Sequence, residues 1–349
     1  MKTVVLLIIT SFLSFGLVGQ EETHFSQFTD AQTLFNPATT GIFHGSLRFN
    51  GHYRTQWDVS GNPYVTMGGS LDLPVLSEIT GNDFLAVGVF AIQDESGLSQ
   101  TTNMNGGVNL NFGKSFDPDE TNFWSLGAKI TYNQKQLNPS DPNLHWGSQW
   151  DIKNGTGWTG TPGMAAEEVS KTYVGFGAGF NHFYSNHKNV RAMWGIAMNN
   201  INRPKVNYLN DEYRLSSSLY YHGEVEIHSH ANGFALIPRF AGLVQGPQRY
   251  FIIGTSVDFL LKEAGKMTGI VKEASLEFGA FYRWKDAMVF ELQANWAGIG
   301  LGVSYDLPIS KIGRPTNYVG AVEVLLHYKL GYKTGIQSKH DNHRFDSIH

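Results

Sequence analysis

Histidine is abundant in this sequence, with 13 residues, so a metal site is the first chemistry to consider. The three that lie closest together are His222, His228 and His230, in and just after one predicted strand. His222 and His228 share a strand face, but strand residues two apart are separated by about 6.6 Å, which puts these two roughly 20 Å apart. One ion cannot be chelated over that distance. We therefore predict no metal site and no cofactor.

Nucleophilic catalysis would require a serine, a histidine and an acidic residue at one place. Ser304, Asp306 and His327 fall on the inward faces of the adjacent strands predicted below, so they are the candidates for a hydrolytic site. No nucleophile signature surrounds Ser304, and inward polar residues are usual in any barrel. We therefore predict that the protein is not an enzyme.

Two runs of glycine alternate with other residues, namely Gly175, Gly177, Gly179 and Gly298, Gly300, Gly302. A phosphate cradle requires a strand-to-helix turn, whereas these glycines recur at every second position within predicted strands. An inward glycine leaves room for a bulky neighbour or allows a sharp bend. We assign these glycines a structural role.

The stretch from Trp296 to Pro308, WAGIGLGVSYDLP, shows which elements carry these residues. Its apolar side chains are Ile299, Leu301, Val303, Tyr305 and Leu307, and its small or polar ones are Gly300, Gly302, Ser304 and Asp306. Successive strand residues point to opposite faces, so one face is apolar and the other is small and polar. A strand of about ten residues with this pattern is typical of a membrane-spanning barrel that faces lipid outward and water inward.

Similar segments recur along the whole chain, and apolar runs outside the N-terminus are too short for a membrane helix. We predict fourteen strands, at 46–57, 63–73, 83–93, 101–113, 121–133, 171–183, 190–201, 217–229, 233–245, 249–261, 272–285, 287–295, 297–307 and 319–332. Both faces are apolar at 83–93 and 233–245, so the facing of those two strands stays open. The predicted fold is an all-β, antiparallel transmembrane β-barrel of the outer membrane.

Four regions are predicted. Residues 1–19 have the build of a secretory signal peptide, with cleavage expected near Gly19. Residues 20–44 form a periplasmic or plug-like lead-in, residues 45–332 the barrel and residues 333–349 a flexible tail. Cysteine is absent, so no disulfide, lipoprotein acylation site or thiolate metal site is expected.

Charge excludes nucleic acid as a partner. Without Lys2, the chain has 25 Lys and Arg residues against 30 Asp and Glu residues, a net charge of −5. Both signs are predicted to face the lumen, with the cations Arg48, Arg54, Lys129, Arg239, Arg283 and Lys285 and the anions Asp72, Glu224, Glu226, Asp258, Glu277, Glu291 and Glu323. Mixed signs favour a salt-bridged, occluded interior over a selective pore.

Two aromatic groups are candidate partner contacts. Phe25, Phe28 and Phe35 make the lead-in too apolar to hang free in the periplasm, so they should pack into the lumen or against another protein. The longest predicted connection, 134–170, contains Trp146, Trp150 and Trp158 and is expected outside the cell. Those tryptophans pack a loop core or present a protein-binding surface.

Several motifs occur in a recognisable order. These are the lead-in NPATTG, the first strand ending in YRTQW, the following NPYVTMGGSLDLP, the segment NINRP at 200–204, and the closing hairpin with SYD at 304–306 and GAVEV at 320–324. Together they resemble the type IX secretion system membrane proteins of the PorP/SprF family, over about residues 25–332. The tail after the last strand departs from the family pattern, because the usual terminal aromatic is not the final residue.

The resemblance implies an outer-membrane component of the type IX secretion and gliding machinery of a Bacteroidetes bacterium. Its implied partners are outer-membrane lipid, other secretion components and a large secreted surface adhesin whose export or anchoring it supports. Family members are not known as enzymes. A porin or solute transporter, which requires an open lumen, is the alternative from another class.

The facing of the 297–307 strand is testable. Replacing Leu301 with Arg is expected to impair membrane assembly by about 2–4 kcal/mol, because it places a charge on the lipid face near mid-membrane. Gly302→Ser, on the opposite face, is expected to be tolerated. Heat modifiability on gels measures barrel assembly, and equal defects in the two variants would contradict this facing.

Overall fold

A computed structural model describes residues 23–43, 45–57, 63–77, 82–96, 101–117, 119, 121–137, 169–206, 214–229, 233–262, 274–310 and 319–330. The predicted signal peptide and the C-terminal tail lie outside these residues, as do Trp146, Trp150 and Trp158.

Fourteen antiparallel strands form one closed barrel, which confirms the predicted fold class. The strands are β1 (Leu47–Gln56), β2 (Tyr64–Ser77), β3 (Asp83–Ser96), β4 (Thr101–Ser115), β5 (Asn122–Leu137), β6 (Val169–Ser185), β7 (Val190–Asn199), β8 (Ser218–Ser229), β9 (Phe234–Gln245), β10 (Gln248–Lys262), β11 (Ala274–Arg283), β12 (Ala287–Trp296), β13 (Ile299–Pro308) and β14 (Ala321–Leu330). Each pairs with its neighbour in sequence, and β1 pairs with β14 to close the sheet.

Side chains alternate across the barrel wall as the sequence pattern predicts. On β13, Leu301 is 56% exposed on the outer surface, whereas Ser304 and Asp306 are buried inside. On β1, Phe49 and Tyr53 face outward. The outer surface is therefore a continuous apolar band, as a lipid-facing barrel requires.

The strands define two rims. Here the terminal rim is the end at which β1 begins and β14 ends, and the distal rim is the opposite end. β5 ends and β6 begins at the distal rim, and the long connection between them covers 138–168, slightly less than the predicted 134–170. The terminal rim carries a two-residue hairpin, Ala297 and Gly298 between β12 and β13.

Two details of the predicted strands are wrong, each because a turn interrupts the alternation. Gly298 lies in the β12–β13 hairpin rather than in a strand, and both Ala297 and Gly298 have positive φ, at 56° and 85°. Two positive φ values are typical of the hairpin turn that matches strand twist. Lys285, predicted to face the lumen, is exposed in the turn between β11 and β12, because β11 ends at Arg283.

The helical elements of the described residues are short and lie in the lead-in. They are α1 (Gln32–Phe35) and one 3-10 turn, Pro37–Thr39. Asn36 caps the turn, since its side-chain Oδ1 accepts a hydrogen bond from the Ala38 backbone N–H at 3.0 Å. Within the ranges given above, no helix is long and apolar enough to cross a membrane.

Candidate functional site

The lead-in lies inside the barrel lumen and fills it as a plug. Thr23 lines the same cavity as Asn103 and Tyr173, near the distal rim. Ile42 packs with Phe84 and Phe123 near the terminal rim. The segment therefore runs down the lumen and joins β1 at the terminal rim. Of the two placements left open by the sequence, periplasmic or plug-like, the structure shows the plug.

Phe25, Phe28 and Phe35 anchor the apolar part of the plug and are 1%, 4% and 5% exposed. Phe28 meets Phe281 edge-on at 5.5 Å between ring centroids, and Phe35 stacks on Tyr220 at 5.1 Å. Burial stabilises each ring by about 1.5–3 kcal/mol. These three side chains were predicted as partner contacts, but packing against the barrel wall leaves them no surface for a second protein in this structure.

The lumen wall that faces these rings is apolar. This explains why the sequence did not show which face of β3 and β9 points into the lumen. Phe90 and Ile92 of β3 point inward, as do Ala241 and Leu243 of β9, and all four belong to the same buried cluster as the plug. An apolar residue that faces a water-filled lumen would be costly, whereas one that faces the plug is buried. Both faces of these strands are apolar because one contacts lipid and the other contacts the plug.

A buried ionic group holds the N-terminal part of the plug near the distal rim. The Ser26 hydroxyl donates to Asp306 at 2.7 Å, and the Ser26 backbone N–H donates to Glu323 at 2.6 Å. Arg54 and Arg283 both reach the same Asp306 carboxylate, at 2.7 and 2.8 Å. Buried charges of this kind require pairing, and here the plug completes the pairing.

The other charges predicted for the lumen also lie on inward faces, apart from Lys285. Arg48 pairs with Asp72 at 2.8 Å, and Arg239 pairs with Glu224 at 3.2 Å and with Glu277. These mixed charges neutralise one another in pairs, as expected of an occluded interior, whereas Glu291 Oε1 has no hydrogen-bond partner among the described residues.

The candidate hydrolytic residues do not assemble into a catalytic site. Asp306 is engaged by the two arginines and by Ser26, and His327 instead contacts Asp30 of the plug at 3.2 Å. Burial alone would raise the pKa of Asp30, but the hydrogen bond with His327 and the charges of His327, Lys329 and His52 together outweigh burial and hold that pKa well below its usual range. The Ser304 hydroxyl has no hydrogen-bond partner among the described residues.

Metal-ligating side chains are also dispersed. In the part of the chain that the structure describes, no group of three His, Cys, Asp or Glu residues could hold an ion. His222 is buried beside Asn36 of the plug, with 3.1 Å between Nε2 and Nδ2, and His228 lies beside Glu226. Each histidine serves a separate structural contact.

Side chains of the barrel wall bind the plug largely through the plug's main-chain carbonyls. Asn109 donates to the Thr33 carbonyl at 2.8 Å, and Asn199 donates to the Phe35 carbonyl at 3.1 Å. Further donors to plug carbonyls are Asn50 to Asp30, Lys129 to Leu34 and Asn111 to Ala38 and Thr40, at 3.0, 2.6, 2.9 and 2.7 Å. This set of donors was not predicted from the sequence, although asparagine recurs at alternate positions in NMNGGVNLN, residues 103–111.

Inward glycines let the plug approach the wall closely. A Cβ at Gly127 would overlap the backbone of Pro37 and Ala38, and one at Gly179 would overlap the Asn36 amide. The structural role assigned to inward glycines therefore holds at Gly179. Gly302 faces the Gln27 amide in the same way, so a side chain added at Gly302 would collide with the plug. Ser304→Ala adds no atoms and is therefore a better inward control for Leu301→Arg than Gly302→Ser is.

Gly127 tests the fit of the plug. Gly127→Ala is expected to displace the 36–38 turn and to lower barrel stability by about 1–3 kcal/mol, as overpacking does. Gly106→Ala, on the outer face with its nearest neighbouring atom 3.7 Å away, is the matched control. Heat modifiability and limited proteolysis of the lead-in would measure the effect, and wild-type behaviour of Gly127→Ala would show that the plug is not tightly seated.

Solved structures similar to this chain are other bacterial barrels. The Ralstonia pickettii toluene transporter TbuX is 10% identical, with 87% of this chain and 94% of that chain covered and a TM-score of 0.48. The Pseudomonas putida toluene transporter TodX is 11% identical, with 85% and 91% covered and a TM-score of 0.47. A Pseudomonas aeruginosa FadL homologue is 10% identical, with 84% and 92% covered and a TM-score of 0.45. No curated protein matches the sequence.

The family described as "Type IX secretion system membrane protein PorP/SprF" matches residues 17–328. The match covers the lead-in and all but the last two residues of the fourteen strands, and it confirms the resemblance seen in the motifs. The chain therefore belongs to the PorP/SprF family, as an outer-membrane β-barrel component of the type IX secretion system.

Proposed function

We propose that this protein is a closed, non-catalytic scaffold that supports export or surface anchoring of a large secreted adhesin. The observation that carries the proposal is the plug, which occupies the lumen from Thr23 to the terminal rim and is bound by ion pairs, aromatic packing and main-chain hydrogen bonds. A barrel filled in this way is suited to holding a partner rather than to passing solutes.

The orientation of the barrel supports a role at the cell surface. In bacterial barrels the longer connections face outward and the strand termini face the periplasm. The connections 138–168 and 200–217 both join strands at the distal rim. We therefore assign the distal rim to the outside of a Bacteroidetes cell, after signal-peptide removal near Gly19, with outer-membrane lipid around the wall and other secretion components as further partners.

A non-catalytic role is supported by the use of the polar lumen residues. Asp306 and His327 both contact the plug, which leaves neither of them to activate Ser304. Removing either would therefore be expected to loosen the plug rather than to abolish a reaction.

The alternative, a porin or solute transporter, predicts a different electrical behaviour. In planar bilayers the purified protein is expected to show no stable large openings, because the plug fills the lumen.

Deleting residues 20–36 is expected to leave a folded barrel that conducts and to reduce adhesin display on cells. Stable openings of the wild-type protein would support the porin, and loss of folding on deletion would make the segment purely structural.

The connection at the distal rim is the second place to test adhesin binding. Trp146→Ala combined with Trp150→Ala is expected to leave assembly intact while lowering the adhesin retained at the surface, because large aromatic side chains dominate protein interfaces. Trp158→Ala extends the series. Protease cleavage of intact cells between 138 and 168 would establish exposure, and unchanged adhesin retention at normal barrel levels would remove this connection from the binding site.

A further inference from the structure

A polar recess lies above the plug, between the plug and the distal rim. We call it the distal recess, and its volume is about 70 Å³. Leu34 and Phe35 of the plug form its floor. Its wall is rich in amides and hydroxyls from β4, β5, β6 and the end of β7, namely Asn103, Asn105, Thr131, Asn133, Tyr173, Asn199 and Asn200. A space of this size holds about five water-sized groups, which is room for a residue or two of an extended chain and too little for a folded domain.

Several amide oxygens in the wall of the recess lack a donor. The Oδ1 atoms of Asn103, Asn105 and Asn199 are buried and have no hydrogen-bond partner among the described residues. The Asn199 side chain is only 6% exposed, and its Nδ2 already donates to the Phe35 carbonyl. Buried acceptors without a partner are costly, and a turn of each amide that presents its oxygen to the recess would let a ligand N–H group satisfy it.

The same strands already bind a polypeptide by its backbone. Asn109 and Asn111 of β4 hold plug carbonyls, and Asn103 and Asn105 continue the same inward row toward the distal rim. Inward positions on a strand repeat at about 6.6 Å, which is also the repeat of every second peptide group in an extended chain. A carboxamide both donates to a carbonyl and accepts from an N–H, so each asparagine can pair with a peptide group.

We propose that the distal recess binds an extended polypeptide segment of the secreted partner through its main chain, with Asn103, Asn105 and Asn199 as the recognising residues. This inference rests on the proposed function, and it adds the class of ligand and the way it is recognised. Main-chain recognition tolerates different side chains, as in the plug, where the donors bind carbonyls of apolar and polar residues alike.

Binding of defined peptides to the purified, full-length barrel tests the proposal. Three fluorescein-labelled twelve-residue peptides serve as probes. Two are uncharged, rich in Ser and Thr, and different in the order of their residues. The third repeats one of these two sequences with N-methylated backbone amides. Both unmodified peptides are expected to bind with similar affinity and the N-methylated one at least tenfold more weakly. Asn103→Leu with Asn105→Leu is expected to weaken binding about tenfold, while Val108→Ala, on the outer face of the same strand and outside the recess lining, leaves it unchanged.

Several results would overturn the proposal. No peptide binding, or equal binding of the N-methylated peptide, would exclude main-chain recognition. Displacement of the peptide by chitopentaose that itself binds more tightly would assign the recess to saccharides. Binding that appears only after residues 138–168 are replaced by a short turn would show that the protein's own connection is the occupant.

Adhesin retention on cells separates this inference from the proposed function. If deletion of the whole gene leaves retention unchanged, the proposed function fails. If gene deletion abolishes retention but Asn103→Leu with Asn105→Leu retains it at normal barrel levels, the distal recess inference fails alone. Loss of retention both on gene deletion and in the double asparagine variant, with normal retention in Val108→Ala, supports both the proposed function and the inference.

Discussion

Hydrogen-bond closure between β1 and β14 is the interaction on which the other features of this structure depend. The pairing runs from Leu47 opposite Leu330 to Gln56 opposite Ala321 and leaves the sheet without an edge. Lipid offers no hydrogen bonds to an open strand, so only a closed sheet can expose apolar side chains to the membrane. Closure also creates an interior, and every inward side chain must then meet water, another side chain or a plug.

The lead-in provides partners for the side chains that point into the lumen. It covers the inward apolar residues of β3 and β9, and it supplies Ser26 and Asp30 to charged groups that the wall alone would leave incompletely paired. Inward glycines such as Gly127 bring the plug close enough for these contacts. The plug and the wall are therefore one packed core, in which apolar, ionic and main-chain contacts act together.

The manner of this packing connects the fold with secretion. Most of the asparagines that line the plug bind carbonyls rather than side chains, so the lumen wall has the chemistry of a peptide receptor already occupied by the protein's own chain. In the proposed role of holding a secreted polypeptide at the cell surface, recognition that does not depend on side-chain identity would be an advantage. The distal recess, where the same kind of wall extends past the plug, is the place at which a second chain could be received.

The barrel, its fourteen strands and the facing of sharply alternating strands such as β13 could be predicted from the sequence, because lipid and lumen impose opposite polarity on neighbouring residues. The motifs in the sequence also determined the family. The positions of Phe25, Phe28 and Phe35 could not be predicted in this way, since an apolar segment can be buried against any apolar surface, and the folded barrel shows them inside the lumen. The same holds for Asp306 and His327, whose inward facing was readable from parity but whose partners, Ser26 and Asp30, lie about 280 and 297 positions away in the chain. Alternation specifies a face, whereas the contacts made on that face depend on which distant segment the closed barrel encloses.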